Sequence, residues 1–166
     1  AGNISAPSAL FDLTVDTIAP TQIVHVLAYS DDQPGQTGAY TFAVPTNDLS
    51  PVINGAVLSA LSANDTVVVY RDGVRLGAAT MLTGNTWSFQ DSGLVDGQSY
   101  VYTARVEDAA GNQGPISANR TLVVDTTPPD APVITGALDD VDPAIGPIAA
   151  GGTTNDATPT PTGTGE

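Results

Sequence analysis

Short runs of apolar residues follow one another along the chain and are separated by Gly, Pro, Thr and Asp. In YTARVED, residues 102–108, apolar and polar side chains alternate as they do on a half-buried strand. Asp72-Gly73 stands between the runs VVVYR and VRLGAA, which is a strong signal for a two-residue β-hairpin. Helix signals are nearly missing. The pattern therefore predicts an all-β fold.

Eight short strands are predicted, with turn residues about every 8–12 positions. They lie near Gln22–Tyr29, Tyr40–Val44, Val52–Leu58, Thr66–Arg71, Val74–Met81, Thr86–Gln90, Ser99–Glu107 and Arg120–Val124. This number and spacing of strands favours an immunoglobulin-like β-sandwich. We expect Trp87, inside NTWSF, to lie in the core of that sandwich, because Trp is usually buried.

The first residues of the chain match a later segment. AGNISAPSALFDLTVDT at residues 1–17 resembles AGNQGPISANRTLVVDT at residues 110–126, an offset of 109 residues. The same offset relates Asp16 to Asp125, Pro20 to Pro129, Asp31 to Asp140 and Pro34 to Pro143. It becomes 108 where TNDATPTPTG, residues 154–163, matches TNDLSPVING, residues 46–55. An offset that holds over this length indicates tandem repeats.

The repeat predicts domain boundaries near Asp16-Thr17 and Asp125-Thr126. We expect residues 1–16 to be the C-terminal strand of a preceding repeat and residues 17–125 to be a complete Ig-like domain. Residues 126–166 are then the N-terminal part of a following repeat. The linkers TIAP and TTPPDAP are expected to be short and stiff, since proline fixes φ.

Several motifs carry a family resemblance. VEDAAGNQGPIS, TLVVDTTPPDAPVI and GGTTNDATPTPTGTGE, in this order, resemble the bacterial Ig-like tandem repeats of giant biofilm-associated and RTX-type surface adhesins, which are exported by type I secretion. The resemblance implies a stiff extender in cell adhesion, at the extracellular surface of a bacterium. It implies neighbouring Ig-like repeats of the same chain as partners, with a host or surface ligand bound elsewhere in the full-length protein. It also implies calcium near the domain junctions.

The composition is strongly acidic. Eighteen Asp and Glu residues oppose four Arg and no Lys, which gives a formal net charge of −14. Nucleic acid and anionic membranes repel such a chain, so we expect it to bind no nucleic acid. The chain contains no run of about 18 apolar residues, so membrane insertion is not predicted. The absence of Cys excludes disulfides, thiolate metal sites and cysteine nucleophiles.

Two sets of acidic residues are candidate metal ligands. Asp and backbone carbonyl groups suit Ca²⁺, which gathers about 6–8 oxygens. In an Ig-like sandwich the EDAAGN loop lies at the end where the first strand starts, which brings Asp108 and Asn112 close to Asp16. A second set is expected at the opposite end: Asp31, Asp32, Asp48 and Asp125, with Asn47 and Asp96 as additions. The following repeat carries that set again, as Asp139, Asp140, Asp142 and Asp156.

Asp also ends strands and builds Asx-turns without any metal, and this alternative stays open for each single residue. Clustered carboxylates repel one another, however. Each pair about 4 Å apart costs on the order of 4 kcal/mol at an effective dielectric constant near 20, and the chain has few positive charges to offset this. We therefore predict Ca²⁺ at one or both junctions, in preference to the smaller Mg²⁺.

The sequence does not predict an enzyme. His25 is the only histidine, and no G-x-S-x-G elbow is present. Aromatic residues make up only 5% of the chain, so no aromatic-lined cleft for glycosidic bonds is indicated. Two alternatives to a stiff extender, or spacer, remain. One is a module that binds carbohydrate or protein through exposed aromatic residues, and the other is a filament subunit whose end strands complement one another between chains.

Overall fold

The structure is a computed structural model that describes residues 1–165. It contains two compact units, of which unit 1 is Ala1–Thr126 and unit 2 begins at Thr127. The division falls one residue after the predicted boundary at Asp125-Thr126. Apart from a three-residue 3-10 turn at Thr83–Asn85, the regular structure in these residues is β, which confirms the predicted all-β class. Within the same range no helix is long and apolar enough to cross a membrane.

Unit 1 contains nine strands in the described residues. They are β1 (Val24–Asp31), β2 (Gly38–Tyr40), β3 (Val52–Val57), β4 (Thr66–Arg71), β5 (Val74–Ala78), β6 (Thr80–Met81), β7 (Thr86–Gln90), β8 (Ser99–Glu107) and β9 (Arg120–Val123). One antiparallel sheet has the order β2-β1-β3-β7-β6, and the other has the order β5-β4-β8-β9. The two sheets enclose one core, so unit 1 is an Ig-like β-sandwich.

Alternation along the strands builds this core. Val67 and Val69 of β4, with Ala104 and Val106 of β8, are fully buried and face the other sheet. Trp87 is 1% exposed, as predicted from its place in NTWSF. Its partner across the ladder is Gly55, where a side chain would put its Cβ 2.2 Å from the Trp87 ring. Only glycine therefore fits beside this indole.

Two predicted strands differ from the observed ones. The segment predicted as Tyr40–Val44 is strand only at Gly38–Tyr40, because the chain turns at Thr41–Val44, where the Val44 N–H donates to the Thr41 carbonyl. The segment predicted as Val74–Met81 is two strands in different sheets. β5 pairs with β4, and β6 pairs with β7, so the chain changes sheets at Ala79.

Residues 1–23 form no strand in the structure. The segment FDLTVD, predicted as the last strand of a preceding repeat, is exposed, and Phe11, Leu13 and Val15 are 77–88% accessible. A strand needs a partner for its main-chain N–H and C=O groups, and no described segment pairs with this one. Its assignment to a preceding repeat stays a prediction.

Unit 2 contains three strands in the range described. They are β10 (Val133–Asp139), β11 (Gly146–Ala149) and β12 (Thr160–Thr164), in the sheet order β11-β10-β12. The pairing repeats that of β2, β1 and β3, including a bulge in the first strand of each set. Ile134 pairs with Gly163 as Val26 pairs with Gly55, which is an offset of 108.

This register corrects two predicted correspondences. The counterpart of Pro34 is Asp142 and not Pro143, because the Asp142 carbonyl accepts from Asn155 as the Pro34 carbonyl accepts from Asn47. The counterpart of Asp31 is Asp139, at an offset of 108, and not Asp140, at an offset of 109. The repeat therefore loses one residue between Pro129 and β10, in the linker. Loss of one residue inside β10 would have moved the apolar side chains of that strand to the other face of the sheet. Loss of a residue from the linker leaves them in place.

Candidate metal sites at the two ends of unit 1

Asp108 begins the loop after β8 and is the centre of the first predicted set. Its Oδ1 accepts hydrogen bonds from the N–H groups of Ala110 and Asn112, both at 2.9 Å. Its Oδ2 accepts from the Asn112 side-chain amide, also at 2.9 Å. The side-chain bond from Asn112, with the backbone N–H groups of the loop, holds the pKa of Asp108 below its usual value. The carboxylate is thus fixed in its ionised form.

The structure brings Asp108, Asn112 and Asp16 together, as the sequence predicts. The Asn112 amide also donates to the Asp16 carbonyl at 3.1 Å, across 96 residues of chain. Asp16, Asp108 and Asp65 line one open surface hollow of unit 1. Asp65 was not predicted, and no repeat could reveal it, because its counterpart at an offset of 108 would lie beyond residue 166. We call Asp16, Asp65, Asp108 and Asn112 the N-terminal set.

Thr46 organises the opposite end of unit 1. Its hydroxyl donates to Asp31 Oδ2 at 2.6 Å and accepts from the Asp48 N–H at 3.1 Å. Its main chain pairs with the end of β9: the Thr46 N–H donates to the Val123 carbonyl, and the Asp125 N–H donates to the Thr46 carbonyl. Asp31, Asp48 and Asp125 therefore lie at one end, as expected. We call them the C-terminal set.

The residues predicted for the second set of metal ligands differ in exposure. Asp31 and Asp48 are 3% and 1% exposed, whereas Asp32 is exposed and accepts from the Gln33 side chain. The Asn47 amide nitrogen donates to the Pro34 carbonyl at 3.2 Å, while its Oδ1 is buried without a hydrogen-bond partner. Asp96 accepts from the Thr126 N–H at 2.7 Å. Asp31 and Asp48 are thus the buried carboxylates of the second set, whereas Asp32, Asp96 and Asp125 are exposed.

Unit 2 repeats the arrangement around Thr46. The Thr154 hydroxyl donates to Asp139 Oδ2 at 2.6 Å and accepts from the Asp156 N–H at 2.9 Å. Asp139 is 1% exposed and Asp156 is 7% exposed, and Asp156 Oδ2 is buried without a partner. Asp140 is exposed and takes the place of Asp32. The same hydrogen-bond geometry thus recurs 108 residues apart.

The Asp residues share a local geometry. Six of them accept a hydrogen bond from the N–H two residues later, through Oδ1: Asp16, Asp31, Asp48, Asp108, Asp139 and Asp156. This is the Asx-turn, the alternative that the sequence left open. Across residues 1–165, no three His, Cys, Asp or Glu side chains converge into a ready metal site. A cation that binds these carboxylates would therefore share them with the Asx-turns.

Glu107 and Asp91 are buried carboxylates for which the protein supplies its own partners. The Arg75 side chain donates to Glu107 at 3.1 Å, and Tyr70 and Gln113 also donate to it. Burial opposes ionisation of Glu107, but the hydrogen bonds from Tyr70 and Arg75 outweigh it and lower its pKa.

Arg71 neutralises Asp91 in the same way, through bonds of 2.9 and 3.0 Å to its two carboxylate oxygens. The Tyr102 hydroxyl also donates to this carboxylate. Burial raises the pKa of Tyr102, and the bond to Asp91 raises it further, so the phenol stays protonated. No short motif marks Asp91, because Arg71 lies 20 residues earlier in the sequence.

The two facing sheets define unit 1 as an Ig-like module. A family described as bacterial Ig-like domain matches residues 24–126, and the chain therefore belongs to this family. Its domains are typically non-catalytic. The chain is also similar to exoglucanase B of Cellulomonas fimi, with 33% identity over 147 residues. That match covers 82% of this chain and 12% of the exoglucanase. The predicted Ig-like repeat is thus confirmed, and its assignment to an adhesin stays a prediction.

Proposed function

We propose that the chain is an extracellular spacer, a non-catalytic repeat that holds neighbouring parts of a longer bacterial polypeptide apart. One observation carries this proposal: the chain enters unit 1 at one end and leaves it at the other. The Glu107 end of β8 leads to Asp108, which lies beside Asp16, while the Ser99 end pairs with Val123. Nine residues of strand separate these ends by roughly 30 Å.

Two further observations support a spacer. The first three strands of unit 1 recur 108 residues later with the same register, which is the organisation of a tandem array. A similar segment makes up 12% of a bacterial exoglucanase, which fits a connecting role in a larger polypeptide and an extracellular location. The motif resemblance to surface adhesins supports a place on the bacterial cell surface.

Stretching the chain between its ends tests the spacer proposal. A spacer must resist force as one body, so unit 1 is expected to unfold in a single step. About 100 residues at about 3.5 Å each release on the order of 35 nm of contour length. A gradual extension at low force, without that step, would contradict the proposal. A chain with Trp87→Ala, which weakens the core, serves as the control and should unfold at lower force.

We also propose that Ca²⁺ stiffens the ends of unit 1. The N-terminal set offers the carboxylates of Asp16, Asp65 and Asp108 around one hollow, and carboxylate oxygens suit Ca²⁺. A carboxylate has about four lone-pair positions, so the Asx-turn bonds leave room for a cation. In the C-terminal set, the unpartnered Asn47 Oδ1 is a further oxygen donor. The bound ion would cancel repulsion and restrict the linker.

Thermal unfolding in EDTA, followed by titration of Ca²⁺ and separately of Mg²⁺, tests this second proposal. A ligand that binds only the folded state stabilises it, by about 2.7 kcal/mol at 100 times its Kd. We expect Ca²⁺, and not Mg²⁺, to raise the midpoint, and Asp108→Asn to remove most of the rise. Asp12→Asn is the matched control, since Asp12 belongs to neither set. A midpoint unchanged at millimolar Ca²⁺ would leave the spacer proposal intact and refute the calcium proposal.

The alternative of a binding module lacks a surface of exposed aromatic side chains. In residues 24–165 every Trp, Tyr and Phe is buried or half-buried. Tyr29, Trp87 and Tyr102 belong to the core. We therefore propose the spacer in preference to carbohydrate or protein recognition by this sandwich.

A further inference from the structure

The chain has one Asn-Gly pair among its 166 residues, Asn54-Gly55. Asn-Gly is typical of tight two-residue turns, yet this pair lies inside a strand. The strand is β3, which stands between β1 and β7 in the middle of the five-stranded sheet. Gly55 pairs with Val26 on one side and with Trp87 on the other. The pair is therefore not there to reverse the chain.

Packing explains the glycine but not the asparagine. A side chain at position 55 would put its Cβ 2.1 Å from the His25 carbonyl oxygen, so only glycine fits there. The corresponding residues of unit 2, 108 positions later, are Thr162 and Gly163. Both units thus have the glycine, whereas the residue before it is Asn in one unit and Thr in the other. The strand accepts either residue, and the asparagine adds a chemistry that threonine lacks.

Asparagine followed by glycine can lose its side-chain nitrogen. The Gly55 nitrogen attacks Cγ of Asn54, so that an N–Cγ bond forms and the Cγ–Nδ2 bond breaks. Nδ2 leaves as ammonia together with the proton of the Gly55 N–H, and a five-membered imide remains. Glycine favours this reaction because it has no Cβ to hinder the attack.

Water then opens the imide in one of two ways. If it breaks the new bond to Cγ, position 54 becomes aspartate and the main chain is restored. If it breaks the bond to the main-chain carbonyl carbon, position 54 becomes isoaspartate. The main chain then runs through Cβ and Cγ and is one atom longer. In both cases the water oxygen enters the new carboxylate, and the Gly55 nitrogen regains its proton.

The folded sheet holds the reacting atoms apart. In an extended strand the imide closes only after ψ of Asn54 turns far from its strand value. Pairing with β1 on one side and β7 on the other opposes that rotation. The side chain is held as well, since Asn54 Nδ2 donates to Ser30 Oγ at 2.9 Å and to the Val52 carbonyl at 3.0 Å. The reaction therefore requires β3 to leave the sheet.

We propose that Asn54-Gly55 is a deamidation site that folding masks, so that Asn54 is converted to isoaspartate or aspartate only while unit 1 is unfolded. The rate then follows the population of the unfolded state. In small domains this state is disfavoured by about 10³-fold or more, so folded unit 1 should react at least about 10³ times more slowly than the unfolded chain. The inference goes beyond the spacer function, which needs no covalent change.

The modified residue hinders refolding. Isoaspartate adds one main-chain atom inside β3, so the residues on its two sides no longer keep the period of two that a strand requires. Ile53 and Val57 of this strand are core residues, at 0% and 3% exposure. Aspartate keeps the length of the chain but cannot donate to Ser30 Oγ or to the Val52 carbonyl. A period of unfolding thus leaves a lasting chemical change in the central strand.

Peptide mapping of the 166-residue chain tests the proposal. The chain is held at mildly alkaline pH in guanidinium chloride above the unfolding midpoint and, in parallel, in native buffer. A protease that cuts before Asp releases residues 48–64, cuts again if position 54 is aspartate, and leaves isoaspartate uncut. Conversion of Asn54 should be at least about 10³-fold slower in native buffer.

Asn64 lies in the same peptide and is the internal control. It is exposed and is followed by Asp65 instead of glycine, so it should react more slowly than Asn54 in denaturant. Equal conversion of Asn54 in native buffer and in denaturant would overturn the proposal. Conversion of Asn54 in denaturant that is no faster than that of Asn64 would also overturn it.

A destabilised variant links the rate to unfolding. Leu122 is fully buried in the facing sheet, so Leu122→Ala leaves the pairing of β3 unchanged but makes unfolding easier. Asn54 of this variant should convert at least about 20-fold faster in native buffer. Val74→Ala, at a position 66% exposed, is the control and should leave the rate unchanged. A wild-type rate in Leu122→Ala would show that the reaction proceeds within the folded sheet and would refute the inference.

Refolding tests the consequence for unit 1. After a hold in denaturant and dilution, the fraction of wild-type chains that refold should fall as isoaspartate accumulates, as measured by the fluorescence of Trp87. Asn54→Thr carries the residue that unit 2 has here, keeps Asp72-Gly73 and Asp96-Gly97, and should refold with an unchanged yield. An equal loss in Asn54→Thr, or full refolding of chains with isoaspartate at position 54, contradicts the inference and leaves the spacer proposal untouched.

Discussion

Units 1 and 2 share three strands and one buried polar network, but among residues 1–165 a second sheet covers these strands in unit 1 alone. Asp139 is as buried as Asp31, at 1% and 3% exposure, and each accepts a hydrogen bond from the threonine 15 residues later. The apolar positions differ sharply, since Ile134 is 74% exposed and Val26 is 2% exposed. The polar network is thus a local structure of one sheet and its loops, whereas apolar burial requires residues about 100 positions away.

The largest expected difference between the units concerns Trp87. Trp87→Ala should lower the free energy of unfolding of unit 1 by about 3–5 kcal/mol, because it leaves a large cavity beside Gly55. The amide signals of unit 2 should report an unchanged urea midpoint. Val74→Ala, at a position 66% exposed, is the control and should cost less than about 0.5 kcal/mol. An equal loss in both units would contradict their separate stability.

Thr46 and Thr154 allow the same test on the polar network. Thr46→Val removes the hydroxyl that bonds to the buried Asp31 carboxylate and should cost about 1–3 kcal/mol. Thr154 is exposed, so water can replace its hydroxyl, and Thr154→Val should cost less than about 1 kcal/mol. Urea unfolding followed by amide signals measures both. A larger loss for Thr154→Val would show that the network depends on something other than burial.

Alkaline pH should affect unit 1 alone. Burial, with the Asp31 carboxylate nearby, raises the pKa of Tyr29 from 10.0 to about 12. A raised pKa means that stability is fully present below pH 10 and is lost as pH rises towards 12. Tyr29→Phe should reduce this loss, and unit 2, which has Ala137 at this position, should show none of it. Unfolding free energies from pH 9 to pH 12, with phenolate absorbance, check the prediction.

Low pH should have the smallest effect on the free energy of unfolding of unit 1. The pKa of Glu107 lies below its ordinary value of 4.5, so its contribution is present above that value and is lost as pH falls through the lower folded pKa. Its partner Arg75 is half-exposed, which limits the contribution. Glu107→Gln should flatten the stability of unit 1 below about pH 4.5. If the stability of Glu107→Gln falls with pH as steeply as that of the wild type in urea unfolding, other carboxylates cause the loss at low pH.

Local patterns in the sequence predict much of this fold. Short apolar runs between turn residues locate β4, β7 and β8 at their observed bounds, and Asp72-Gly73 gives a hairpin with positive φ at both residues. The sheet change at Ala79 could not be predicted, because apolar residues continue across it without a break. The choice between Asp139 and Asp140 needed the strand register, since both are Asp and both offsets occur in the repeat.

The candidate sites were also predictable only in part, because local contacts follow from the sequence and long-range contacts do not. The fold places Asp16 beside Asp108 and Asn112, and an Ig-like topology implies that neighbourhood before any coordinates are known. The Asx-turn bond of each Asp is local, so it was a recognised alternative. The long-range partners were not predictable, because a bond such as Arg75 to Glu107 spans 32 residues and depends on strand register.

The most direct test of the spacer is the distance across unit 1. The chain has no Cys, so Thr17→Cys and Thr126→Cys give two unique positions for spin labels. The account predicts one narrow distance distribution centred on the order of 30 Å, the length of β8. Ca²⁺ should narrow it further relative to EDTA. A centre below about 15 Å, half that length, would place both ends of unit 1 on the same side and contradict a spacer.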